Sequence, residues 1–117
     1  MPHRLALLVS FAVLHAGCYA DTDAYIPAEA RQFCKRLKRC NAGAFADRYD
    51  EDMGRCRSSR EDDLFQLEDV LRQTGWEYDQ DAGQDCIAAY KDVRRDCSDD
   101  ADQDIVNACE DVLFDGF

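Results

Sequence analysis

The sequence predicts an all-α fold: a small disulfide-stapled bundle of about four helices behind a cleaved signal peptide. Three observations predict it. Apolar residues recur at three- and four-residue steps along most of the chain. No segment alternates over six residues with the β-branched content a strand needs. Six cysteines follow a seventh, Cys18, which closes an N-terminal apolar run.

That run reads as an export signal. Arg4 precedes an apolar core, Leu5-Ala-Leu-Leu-Val-Ser-Phe-Ala-Val-Leu14, and then His15-Ala16-Gly17-Cys18. The core is about half the roughly 20 residues that span a bilayer, so cleavage is expected rather than a membrane helix. A small pair before a cysteine suits lipoprotein processing, in which the thiol is acylated and becomes the new N-terminus. Position 15 carries His where such signals usually have Leu. The alternative is ordinary cleavage after Ala20 and free secretion. The expected organisation is residues 1–17 as signal, 18–26 as acylated Cys18 and a short polar tether, and 27–117 as the cysteine-rich helical domain. The expected location is the bacterial cell envelope, with Tyr19 rather than Asp after the cysteine favouring the outer membrane.

The first helix is expected from Pro27 to Cys40, because proline suits a first turn, where its missing N–H has no intrahelical partner. Ala30, Phe33, Leu37 and Cys40 make its buried stripe, and Asn41-Ala-Gly43 ends it. The second runs from about Asp50 to Gln73 on Met53, Cys56, Leu64, Leu67 and Leu71, with a break possible at the polar Arg57-Ser-Ser-Arg60. Gly75 stops it, and Trp76 and Tyr78 follow as a lid over one end of the core. Asp79 caps the third helix, which carries Ala82, Cys86, Ala89, Tyr90, Val93 and Cys97. Ser98 or Asp99 caps a short fourth helix bearing Ile105, Cys109, Val112 and Leu113.

Six cysteines in a short exported chain imply disulfides. Of fifteen possible pairings, an antiparallel hairpin of the first two helices favours Cys40–Cys56. The short return favours Cys97–Cys109, which leaves Cys34–Cys86 to join the first and third helices.

The second half, with Gly75-Trp-Glu-Tyr-Asp79, Ala82, Cys86-Ile-Ala-Ala-Tyr90, Cys97 and Cys109-Glu-Asp-Val-Leu-Phe-Asp-Gly116, resembles small cysteine-rich lipoproteins of myxobacteria and related delta-class bacteria. Phe33-Cys-Lys-Arg-Leu-Lys-Arg-Cys40 resembles their opening helix. The resemblance implies an exported, lipidated protein of uncharacterised role, and it supplies no catalytic residues.

Composition narrows the function. The 117 residues carry a net charge of −11. Removing residues 1–17 takes away Arg4 and no acid, giving −12. So acidic a chain does not track a phosphate backbone, and no nucleic-acid partner is expected. Both histidines, His3 and His15, fall in the signal, which removes histidine-based nucleophilic catalysis from the domain. No C-x-x-C pair exists for thiol redox work or a common zinc module. The expectation is a non-enzymatic protein with no cofactor, acting as an interaction or structural module. One basic run, Arg31, Lys35, Arg36, Lys38 and Arg39, is a solvated face or a docking surface for an envelope protein partner.

A weak metal candidate is Asp100, Asp102, Asp104 and Asp111, spaced like a helix–loop–helix calcium loop. Ile105 stands where that loop needs glycine. The main alternative is a negatively charged helix start that favours the dipole. Trp76, Tyr78 and Tyr90 are core and rim, or else the floor of a ligand groove.

Overall fold

The computed structural model describes residues 18–113. Within them lie five helices and no strand: α1 (Thr22–Cys40), α2 (Ala42–Tyr49), α3 (Met53–Arg72), α4 (Gln80–Asp92) and α5 (Asp99–Leu113). The signal reading lies outside the described residues.

Helix α1 starts at Thr22, five residues before Pro27, so residues 22–26 are not tether. Asp21 caps it, its carboxylate accepting from the Ala24 N–H at 2.9 Å. Pro27 sits inside the helix and removes one backbone hydrogen bond. Tyr25 and Ile26 explain why the helix forms across it. Both are fully buried in the main core, and each such side chain contributes about 1.5–3 kcal/mol. Together these match or exceed a penalty of about 3 kcal/mol for an interior proline.

Asn41 ends α1 and starts α2. Its N–H donates to the Leu37 carbonyl at 2.8 Å, and its side chain accepts from Ala44 N at 3.2 Å. Helix α2 has no counterpart in the expected four; it buries Phe45 in a small second cluster with Cys34 and Cys56. Asp50 and Glu51 then take left-handed backbone conformations, φ 52° and 62°. The chain reverses there, and Asp52 caps α3 by accepting from Arg55 N at 3.1 Å. Helix α3 runs unbroken through Arg57-Ser-Ser-Arg60, because Arg60 has a buried partner on α1.

Gly75, at φ +86°, turns the chain after α3. Trp76 then enters the core, its indole N–H donating to the Val112 carbonyl at 3.1 Å. Tyr78 lies against the backbone of Gly83, where a Cβ would fall 2.0 Å from its hydroxyl oxygen. Helix α4 is capped by Asp79 as expected but stops at Asp92, short of Cys97. Ser98 caps α5, accepting from Ala101 N at 3.2 Å.

Helix α1 is central: it packs on α2, α3 and α4, while α5 packs mainly on α4. Helices α3 and α5 barely meet.

All six expected cysteines pair, but as Cys34–Cys56, Cys40–Cys97 and Cys86–Cys109. None of the expected pairs, Cys34–Cys86, Cys40–Cys56 and Cys97–Cys109, forms. The reason is α2. A simple loop between Cys40 and Cys56 would let them pair, whereas the inserted helix brings Cys56 beside Cys34, six residues or about 9 Å back along α1. Cys40, at the end of α1, then faces the connection between α4 and α5 that holds Cys97. Cys86 and Cys109 lie on the tightly packed pair α4 and α5.

Burial of the segment before Pro27 yields a prediction. Ile26→Ala is expected to cost about 2–5 kcal/mol in urea unfolding, while Val106→Ala on the exposed face of α5 changes stability by less than about 0.5 kcal/mol. Equal, small effects would return residues 22–26 to a solvated tether.

Candidate functional site

Because α3 and α5 stand apart, a groove of about 810 Å³ opens between them, with α1 as its floor. Phe33, Leu37, Leu64, Leu67 and Ile105 give it apolar walls. Val106, half exposed, forms part of the rim.

At its base is a buried polar network. Glu29 on α1 is 2% exposed. Arg60 on α3 grips it with both prongs, Nε to Oε2 at 3.0 Å and Nη2 to Oε1 at 2.9 Å. The Tyr90 hydroxyl on α4 donates to Oε1 at 2.8 Å. The Arg60 guanidinium also lies 4.1 Å from the centre of the Phe33 ring, a favourable cation–π placement. Both carboxylate oxygens are therefore engaged, which suits a structural ion pair better than a general base.

The tyrosines around this network resist ionisation. Burial, then the Glu29 charge, pushes the Tyr90 and Tyr25 hydroxyls far above the ordinary phenol range. Tyr25 donates to the Cys86 sulfur at 3.1 Å. Tyr78 is pushed up to about 12 by burial and then by Asp21 and Asp79. Of the three aromatics considered as a groove floor, Tyr90 lines the groove, while Trp76 is core and Tyr78 packs on Tyr25.

A second concavity of about 640 Å³ lies where the C-terminal end of α1 meets that of α4. Lys35, Arg36, Lys38 and Arg39 line it, so four of the five expected basic residues converge; Arg31 does not. Lys91 and Arg94 complete it from α4 and the turn that follows. Their sequence signal was a pair of cations three residues apart at a helix end, hidden among the acids around them.

Arg36 is a structural clasp and not a free docking charge. Its side chain, 12% exposed, donates through Nε and Nη2 to Asp102 Oδ1 at 3.0 and 2.7 Å. It also donates to the carbonyls of Val93 and Asp96 at 3.2 and 2.8 Å. Arg39 donates to the Arg94 carbonyl at 3.2 Å.

The calcium-loop spacing does not become a loop. Asp100, Asp102, Asp104 and Asp111 all stand on the continuous helix α5, which cannot wrap a cation, and Asp102 is held by Arg36. Among the described residues no group of three or more His, Cys, Asp or Glu is placed to hold a metal ion.

Cys18 is exposed and unpaired. Its carbonyl accepts from Gln80 at 3.3 Å and Gln84 at 3.2 Å, and the Tyr19 carbonyl accepts from the Tyr78 hydroxyl at 2.7 Å. The residues after Cys18 thus lie on the N-terminal end of α4. None of the helices among the described residues is long and apolar enough to cross a membrane. Compared with known proteins, the chain matches no family model, no curated protein and no solved structure.

The tyrosines give a pH prediction. A phenol whose folded pKa is raised contributes stability that is fully present below its unfolded value near 10 and is lost as pH rises through the folded value. Alkaline titration followed by phenolate absorbance is expected to show Tyr25, Tyr78 and Tyr90 silent up to about pH 11, then ionising with unfolding. Smooth ionisation of all five tyrosines near pH 10, with the fold intact, would contradict the buried network.

Proposed function

We propose that this chain is a non-enzymatic protein of the bacterial cell envelope, anchored through a lipid on Cys18 and working as a protein-interaction module. The observation that carries the reading is the division of the cysteines. Six close the domain in three disulfides, and Cys18 alone is exposed and free at its N-terminal edge, one residue after the apolar run and small pair. Disulfides favour a compartment outside the cytoplasm. The resemblance of the helix and cysteine pattern to lipoproteins of myxobacteria points the same way.

An interaction role is supported by the two open surfaces on a cross-linked frame. A cross-linked frame presents such surfaces with little ordering cost on binding. A non-enzymatic role is supported by the saturation of Glu29, the most buried carboxylate at the base of the larger groove. The outer membrane is the favoured site, from Tyr19 beside the anchor.

The test is the intact mass of the native protein from the envelope fraction and from the culture medium. The expected species begins at Cys18, carries acyl mass, lacks the six hydrogens lost to three disulfides, and sediments with membranes. A soluble, unacylated species beginning at Asp21 would overturn the anchor and make the protein a secreted effector or inhibitor.

A further inference from the structure

The cleft at the end of α1 and α4 is the most unusual electrostatic feature of this acidic molecule. Six cationic side chains line it and no carboxylate does. Of these six, Arg36 alone forms an ion pair with an acid among the described residues. Lys35, Lys38, Arg39, Lys91 and Arg94 are exposed and have no acidic partner there, although the whole chain carries 25 acids against 14 bases.

Helix dipoles account for part of this arrangement. Lys38 and Arg39 lie in the last turn of α1, and Lys91 lies in the last turn of α4, where cations are favoured. They do not account for Lys35, which stands farther back in α1, or for Arg94, which lies beyond α4. Five unneutralised like charges gathered in one concavity repel one another, and an anionic ligand relieves that repulsion.

We propose that this cleft is the docking site for an acidic polypeptide segment. Three observations select that chemistry. Lys35, Lys38 and Arg39 present one row of cations at three- and four-residue steps, and Lys91 and Arg94 present a second at a three-residue step. Two such rows match carboxylates spaced by helical turns on a partner. Half-buried Met53 adds apolar surface to the cleft, which a polypeptide's aliphatic stems cover and a bare phosphate leaves bare.

Position argues against the headgroups of the membrane that would carry the anchor. Residues 18 and 19 are held at the N-terminal end of α4, and α1 begins just after them. Lys35 to Arg39 stand 13–17 residues farther along α1, roughly 20–25 Å away by helical rise. That is more than twice the screening length of about 8 Å at physiological salt. The cleft therefore lies at the end of the domain remote from Cys18. The proposal rests on the reading of the chain as an interaction module but is independent of the lipid.

The test uses the full chain purified in an uncharged detergent and a fluorescein-labelled helical peptide with two rows of glutamates at three- and four-residue spacing. Fluorescence anisotropy is expected to report binding that weakens as salt rises. Lys35→Glu/Arg94→Glu is expected to weaken it by about tenfold or more, with melting temperature unchanged. Arg31→Glu/Arg48→Glu makes the same change in net charge outside the cleft and is expected to bind as the parent does. Equal binding of the peptide with glutamine in place of glutamate would overturn the proposal. So would equal losses in the two variants, or tighter binding of tripolyphosphate or phosphatidylglycerol vesicles than of the peptide. Each readout is the same whether or not Cys18 is acylated, so a failed anchor and a failed cleft are told apart.

Discussion

The buried carboxylate of Glu29 holds this structure to its shape. A charge so thoroughly removed from water is stable only when paired and hydrogen-bonded. Its partners come from two other helices, Arg60 from α3 and Tyr90 from α4. One side chain on α1 therefore fixes the register of both neighbours. It also explains why a polar run in the middle of α3 remains helical: Arg60 is the long side chain that reaches into the core, and it covers Phe33 on the way. The larger groove follows from the same contact. Helices α3 and α4 are both tied to α1, while α5 is tied mainly to α4, so α3 and α5 stay apart above the network.

The remaining connections secure what so small a core leaves loose. Cys86–Cys109 binds α5 to α4, and Cys34–Cys56 binds the start of α3 to α1. Cys40–Cys97 fixes the end of α1 to the turn between α4 and α5. Each bridge contributes on the order of 2–4 kcal/mol. Arg36 reinforces the last of them: it satisfies two carbonyls of that turn and pairs with Asp102 on α5. The cleft lies around this clasp, and Arg39 beside it donates to the Arg94 carbonyl.

Much of this was legible in the sequence, for identifiable reasons. The stripes on α1, α3, α4 and α5 are helical because apolar residues recur at helical steps, and Asp79 and Ser98 cap where capping chemistry places them. What was not legible depended on tertiary contacts. Pro27 reads as a helix start, yet the burial of Tyr25 and Ile26 carries α1 back to Thr22. Helix α2 has eight residues and one deeply buried side chain, Phe45, too few for a periodic signal. Its presence moves Cys56 back along α1 to Cys34 and changes the whole disulfide pattern. Among the basic residues, sequence proximity grouped Arg31 with Lys35 through Arg39. Only the packing of α1 on α4 adds Lys91 and Arg94 and takes Arg36 away.

The most direct measurement of this account is a double-mutant cycle on the Glu29–Arg60 pair, read by urea unfolding near neutral pH. Glu29→Leu and Arg60→Met are each expected to cost about 3–5 kcal/mol, because each leaves the other charge unpaired. The double variant is expected to cost less than their sum by about 2 kcal/mol or more. Additivity to within about 0.5 kcal/mol would show that the pair does not hold α3 to α1, and the origin assigned here to the groove would fall with it.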